Sequence, residues 1–200
     1  MSFKLLPFAV PVGLLQTLRS AYAKPTRPYH NLTHVDEVLV QYATIVWQDP
    51  GSVALAVLFH DAIYQAGRTD NETRSAQLAF EALAADPPDV NFDSARVQAL
   101  IMLTARHGAL EATQLDHDEA HFLDCDMAIL GAPHERFASY ELAIAAEYGH
   151  LPPAVYRAGR ARFLHKLLSS PAIYLSRIFR ERLESQARTN LQWALATLSG

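Results

Sequence analysis

The chain has 200 residues, half of them hydrophobic and 19% charged, with a net charge of −4. That is enough apolar material for one well-filled domain and argues against intrinsic disorder, and no apolar run reaches the roughly 18 residues that cross a bilayer. Residues 1–150 carry 9 basic and 19 acidic side chains, residues 151–200 carry 8 and 2. An acidic body with a basic final quarter is the wrong profile for a nucleic-acid polymer as partner. It suits a metal site in the body with cationic groups nearby for an anionic ligand. The lone cysteine, Cys125, rules out an intramolecular disulfide and fits a reducing, cytoplasmic setting. The apolar N-terminus has a faint look of a signal peptide, but Pro7, Pro11 and Gly13 interrupt it, so secretion is set aside.

Gly is scarce and Ala and Leu are plentiful, which favours helix. A first helix is expected over 14–23, broken by Lys24-Pro-Thr-Arg-Pro28. From 31 to 47, Leu32, Val35, Leu39, Tyr42 and Val46 form one helical stripe, with His34 at its edge. Asp49-Pro-Gly-Ser52 is a turn. The run Val53–Tyr64 follows, and its alternation also permits a strand. Helix is preferred because no second β-rich run exists to pair with it. Further helices are expected at 71–85, from 93 or 94 to His107-Gly108, and at 118–130. Four more are expected at 134–148, 153–169, 172–183 and 187–198, with Ser170-Pro171 read as a helix start. The expected architecture is a single all-α domain over 1–200, a bundle of roughly eight to ten helices. Its core would lie at about 14–148, with basic C-terminal helices over 151–198.

His60 and Asp61 end an otherwise apolar segment. An imidazole and a carboxylate there are costly to desolvate without a partner, and a divalent cation is one. His30 and His34, four apart, share a helix face if both are helical, although paired surface histidines are common. Leu123-Asp-Cys-Asp126 puts carboxylates into an apolar helix, where Asp is seldom left unpaired. His34, His60, Asp61 and Asp126 together make a two-His, two-Asp set. Such N/O ligation fits Mn first, with Fe, Zn, Co, Ni or Mg as alternatives, and not a thiolate-rich structural zinc.

The order His34, His60-Asp61, Asp126 resembles the HD-domain superfamily of metal-dependent phosphohydrolases, and within it the branch of predicted HD phosphohydrolases. The likeness is carried by Tyr29-His-Asn-Leu-Thr-His34, Phe59-His-Asp-Ala-Ile-Tyr64, Asp70-Asn-Glu-Thr-Arg-Ser-Ala76 and Leu123-Asp-Cys-Asp126. Thr104-Ala-Arg-His107, Glu147-Tyr148, Gly159-Arg160 and Ala187-Arg-Thr-Asn190 fit the same pattern, so it spans about 14–198. The resemblance implies that His34, His60, Asp61 and Asp126 hold the metal, with Asp61 also at the reacting centre. Relatives acting on guanosine tetraphosphate carry Glu-Asp where this chain has Tyr64 and Gln65, which argues against that activity.

Glu72 is the choice for the base that deprotonates water, although an acid in a helix's first turn is favoured anyway. His30, His107, Arg27 and Arg160 are the candidate phosphate contacts. A histidine at a helix end and basic residues on solvated faces are the plain alternatives for these. The expected function is hydrolysis of a small phosphate ester or nucleotide by a metal-activated water. Two rivals remain: a non-catalytic HD module that senses a nucleotide, and a di-iron HD oxygenase using His107 and Asp124 as further ligands. A homodimer is left open.

Overall fold

The computed structural model describes residues 2–199. Among them are nine α-helices and no strand: α1 Val12–Tyr22, α2 Leu32–Tyr42, α3 Pro50–Phe59, α4 Asn71–Ala85, α5 Ser94–Thr104, α6 His117–Met127, α7 His134–Glu147, α8 Pro153–Ser169 and α9 Arg177–Ser199. Single 3₁₀ turns occupy Ser2–Leu5, Ala112–Gln114 and Ala128–Gly131. One cluster of buried side chains runs from Leu6 to Ala194. The helical reading of the 53–64 run holds, but only as far as Phe59.

α3 is the axis of the bundle. It is apolar on every side, and Gly51 to Phe59 are all buried, as a helix surrounded by others requires. α2, α4, α5 and α6 pack around it. Asp49 caps its start by accepting from Ser52 N, with Pro50 in the first turn. Gly51 is obligatory there, since a Cβ would lie 2.0 Å from Asn91 O. α3 therefore delivers its last residues, and His60-Asp61 just after them, into the middle of the molecule.

Several boundaries differ from expectation: α3 begins at Pro50, inside the expected turn, α5 ends at Thr104 and α6 at Met127. Two further differences have identifiable reasons. α2 stops at Tyr42 and not at 47, because side chains take its last carbonyls. Thr44 Oγ1 donates to Gln41 O and the Trp47 indole donates to Tyr42 O. The two helices expected at 172–183 and 187–198 are one, α9, and Ser170-Pro171 follows the end of α8 instead of starting a helix. Residues 172–176 are held off the helical path by two carboxylates. Glu184 accepts from Ile173 N and Tyr174 N, and Asp124 accepts from Leu175 N and Ser176 N. Between 183 and 187 there is no Gly or Pro to stop the helix. No helix is long and apolar enough to cross a membrane among the described residues.

Candidate metal centre

Four side chains from three places in the chain converge. His34 comes from α2, His60 and Asp61 from the end of α3, and Asp126 from α6. His34 Nε2 and His60 Nε2 are 3.0 Å apart. Asp61 Oδ2 lies 3.5 Å from the first and 3.2 Å from the second, Asp126 Oδ1 3.1 and 3.4 Å. Ligand atoms about 2.1 Å from one cation sit about 3.0 Å apart as octahedral neighbours and about 3.4 Å apart in a tetrahedron. The observed separations fall at that spacing. His34, His60 and Asp61 alone keep their ligand atoms mutually within 4.8 Å. His34, expected at the edge of its stripe, is 3% exposed and His60 1%, whereas the Asp61 and Asp126 side chains keep 16% and 13%. The imidazoles form the floor and the carboxylates reach the opening.

The donor chemistry fits a cation. His60 Nδ1 donates to Val57 O at 2.9 Å, which leaves a bare lone pair on Nε2. Burial by itself lowers both imidazoles, but Asp61 and Asp126 outweigh it and raise His34 and His60. Burial likewise raises the two carboxyls, and the imidazoles outweigh it and hold Asp61 and Asp126 well below the usual range. Both aspartates are thus anionic, and the net charge they bring favours a positive ion between them. A proton competes for the same place, so metal uptake displaces protons.

The turn carrying His60 and Asp61 is held by side chains that cap the end of α3. A helix end leaves carbonyls without partners. Tyr22 Oη donates to Leu58 O at 3.0 Å, and Arg27 Nη1 donates to Ala62 O and Ala21 O. Arg27 Nη2 donates to Asp61 O. Here the expectation of a phosphate clamp is corrected: Arg27 is buried, with both amino groups spent on backbone carbonyls. It fixes the ligand turn from behind. From the other side Asn71 pairs with both Gln65 N and Gln65 O, and Ser75 with both Ile63 N and Ile63 O. The Asn-Glu-Thr-Arg-Ser stretch is therefore a clasp on the loop after His-Asp.

A cavity of about 490 Å³ opens from the aspartates and is bordered by His30, Glu72, His107 and Arg160. Glu72, in the first turn of α4, borders this space. His30 is the most firmly placed of the group. Its Nδ1 bonds Glu147 Oε2 at 2.6 Å, and its ring stacks on Tyr64 with centroids 3.9 Å apart. Its Nε2 lies 4.0 Å from Asp61 Oδ2. Glu147 Oε1 also accepts from Tyr29 N and His30 N. Burial raises the Glu147 carboxyl, but the His30 contacts and these N–H groups outweigh it and lower it overall. Glu147 and Tyr64 are site residues that the spacing of chemical groups in the sequence did not reveal.

His107 Nε2 donates to Asp126 Oδ2 at 2.8 Å, leaving Oδ1 toward the imidazoles. It borders the cavity, yet its Nε2 is spent orienting a ligand. Gly108, at φ +66°, makes the turn beyond it. Arg160 borders the cavity as well, but Glu141 takes its Nε and Nη2, and Tyr140 Oη accepts from Nη2 at 2.9 Å. Its charge is largely answered within the protein. Tyr140, Tyr148, Tyr156 and Phe163 make part of the cavity wall aromatic.

Asp124 does not join the cluster. Positions 124 and 126 lie about 200° apart on a helix. With Asp126 facing His34, Asp124 faces α9's approach and takes Leu175 N and Ser176 N at 2.7 Å each. Burial pushes its carboxyl up to about 6 against these donors. The second ligand set needed for a di-iron oxygenase is not formed.

Comparisons with family models, with curated proteins and with solved structures give no match for this chain. The described residues define an all-helical protein with a cluster of His34, His60 and Asp61 that could hold a metal ion.

Proposed function

We propose that the chain is a metal-dependent phosphohydrolase of the HD type, acting on a small phosphate ester or nucleotide. The observation that carries this reading is that His34 Nε2 and His60 Nε2, 3.0 Å apart, each meet Asp61 and Asp126 at 3.1–3.5 Å beneath a cavity of substrate size. The order of those residues is the one on which the likeness to HD phosphohydrolases rests. These four residues would hold a divalent cation, Mn first among the candidates, which would supply Lewis acidity at a phosphate oxygen and lower the pKa of a water.

The protein's own groups then have distinct tasks. Glu72 is the carboxylate bordering the cavity with no hydrogen-bond partner among the described residues, and it accepts the proton of the attacking water. His30, held by Glu147 and Tyr64, presents Nε2 to a phosphate oxygen. Arg160, paired with Glu141, braces the cavity wall instead of clamping phosphate, and the aromatic residues beside it take the organic part of the ester.

The test is metal analysis of the purified full chain, followed by phosphate release from a panel of nucleotides and sugar phosphates with Mn²⁺ added. A bound transition metal and turnover of at least one ester are expected. Glu72→Ala retains the metal and loses turnover. Tight nucleotide binding with no phosphate released from any ester would replace the enzyme by a sensing module.

A further inference from the structure

The two imidazoles of the cluster are wired differently. His60 Nδ1 has a backbone acceptor, Val57 O. His34 Nδ1 is buried and has no partner, and the Tyr29 hydroxyl is buried in the same condition. The two rings are neighbours, with centroids 4.8 Å apart. Both residues also border a smaller cavity of about 290 Å³ that reaches Asp126 and Cys125, whereas His34 does not border the large one.

Two buried polar groups left bare side by side are exceptional, because such groups are nearly always paired with protein or with ordered water. A water takes about 30 Å³ in the liquid and needs two to four polar partners, so the space suffices and the partners are present. A histidine that ligates through Nε2 needs Nδ1 protonated and bonded to an acceptor, which fixes both tautomer and ring orientation. For His34 no protein atom serves.

We propose that Tyr29 is a positioning residue for His34, acting through a water lodged in the smaller cavity. The water accepts from His34 Nδ1–H and pairs with the Tyr29 hydroxyl. The Nε2 lone pair is then directed at His60 Nε2 and the two aspartates. Tyr29 itself touches neither metal nor substrate in this role, and its ring is held in place independently against Tyr140. The inference rests on the metal reading above only where it concerns metal affinity.

The variant that tests it is Tyr29→Phe, which keeps the ring and removes the hydroxyl. Titrated with Mn²⁺ in the full chain, it should bind at least about tenfold more weakly than the parent, the effect typical of losing an outer partner of a metal-ligating histidine. Equal affinity overturns the proposal. A high-resolution crystal structure of the parent gives a second readout, which survives if the variant fails to fold or if the parent binds no Mn²⁺, a result that would defeat the metal reading alone. An ordered water within hydrogen-bond reach of both His34 Nδ1 and Tyr29 Oη supports the proposal, and a dry cavity overturns it.

Discussion

The cavity has two ends that are built in opposite ways. At the aspartate end nearly every polar atom is held by another: Val57 O fixes His60, His107 fixes Asp126, Arg27 and Tyr22 fix the turn, and Asn71 and Ser75 clasp the loop after it. At the other end, α8 buries only Leu164 and Leu167 fully, both in its last turns, and packs chiefly on α9. Tyr156, in its first turn, and Phe163, beside Leu164, border the cavity and stay half-buried. Rigid placement is concentrated where chemistry needs it to within fractions of an ångström. The wall that would meet the organic part of a ligand is left adaptable. Substitutions at the first end should therefore act on metal and fold, and at the second on ligand affinity.

The largest effect is expected from His60→Ala or Asp126→Ala. Each removes a ligand and leaves charged neighbours without their counterpart. Mn²⁺ affinity should fall by more than about 100-fold, beyond the loss typical for an outer partner. Equilibrium dialysis measures this. Retained affinity in either variant would show that the cluster is a hydrogen-bonded core and nothing more.

Arg27→Ala comes next. It strips partners from Asp61 O, Ala62 O and Ala21 O at a buried site. At about 1–3 kcal/mol for a buried group left unsatisfied, a total loss of about 3 kcal/mol in denaturant unfolding is expected. Mn²⁺ binding weakens in parallel because the ligand turn is freed. A phosphate clamp would behave otherwise, with stability unmoved and only substrate affinity lost.

Asp124→Asn separates fold from site within two residues of a ligand. An amide offers one acceptor oxygen where the carboxylate meets two N–H groups. Stability should drop by about 1–2 kcal/mol, with Mn²⁺ affinity within a factor of two of the parent. Thermal unfolding and the same dialysis read the two quantities.

How far this was legible in the sequence depends on the kind of partner each residue has. Helices 71–85 and 153–169 are placed to the residue, because prolines stand at or just beyond their ends: Pro87 after the first, Pro152-Pro153 and Pro171 around the second. The convergence of His34, His60, Asp61 and Asp126 was legible because these are recognisable side chains in a set order. The job of Arg27 was not, since its partners are backbone carbonyls, which every residue has. Glu147 stands 117 residues from His30, and no local spacing announces that pairing. α9 was split in two for the same reason. The bonds that hold 172–176 come from Asp124 and Glu184, and without them Ser170-Pro171 reads as a start. Asp124 and Asp126 were separable in principle, because helix geometry lets only one face His34.

The smallest effect, and the one that probes the adaptable end, belongs to Tyr156→Ala. The side chain is half-buried and packs near Tyr148, with ring centroids 5.7 Å apart. Its removal should cost less than about 1 kcal/mol of stability and leave Mn²⁺ affinity unchanged. An aromatic contact of about 1 kcal/mol corresponds to roughly a fivefold rise in KM for an ester with an aromatic group, at constant kcat. An ester with a short aliphatic group should show no such rise, since it offers no ring for that contact. Steady-state kinetics on that pair of esters checks it. A fall in kcat for both would mean that α8 shapes the reacting end too, and the division between a fixed and an adaptable wall would be lost.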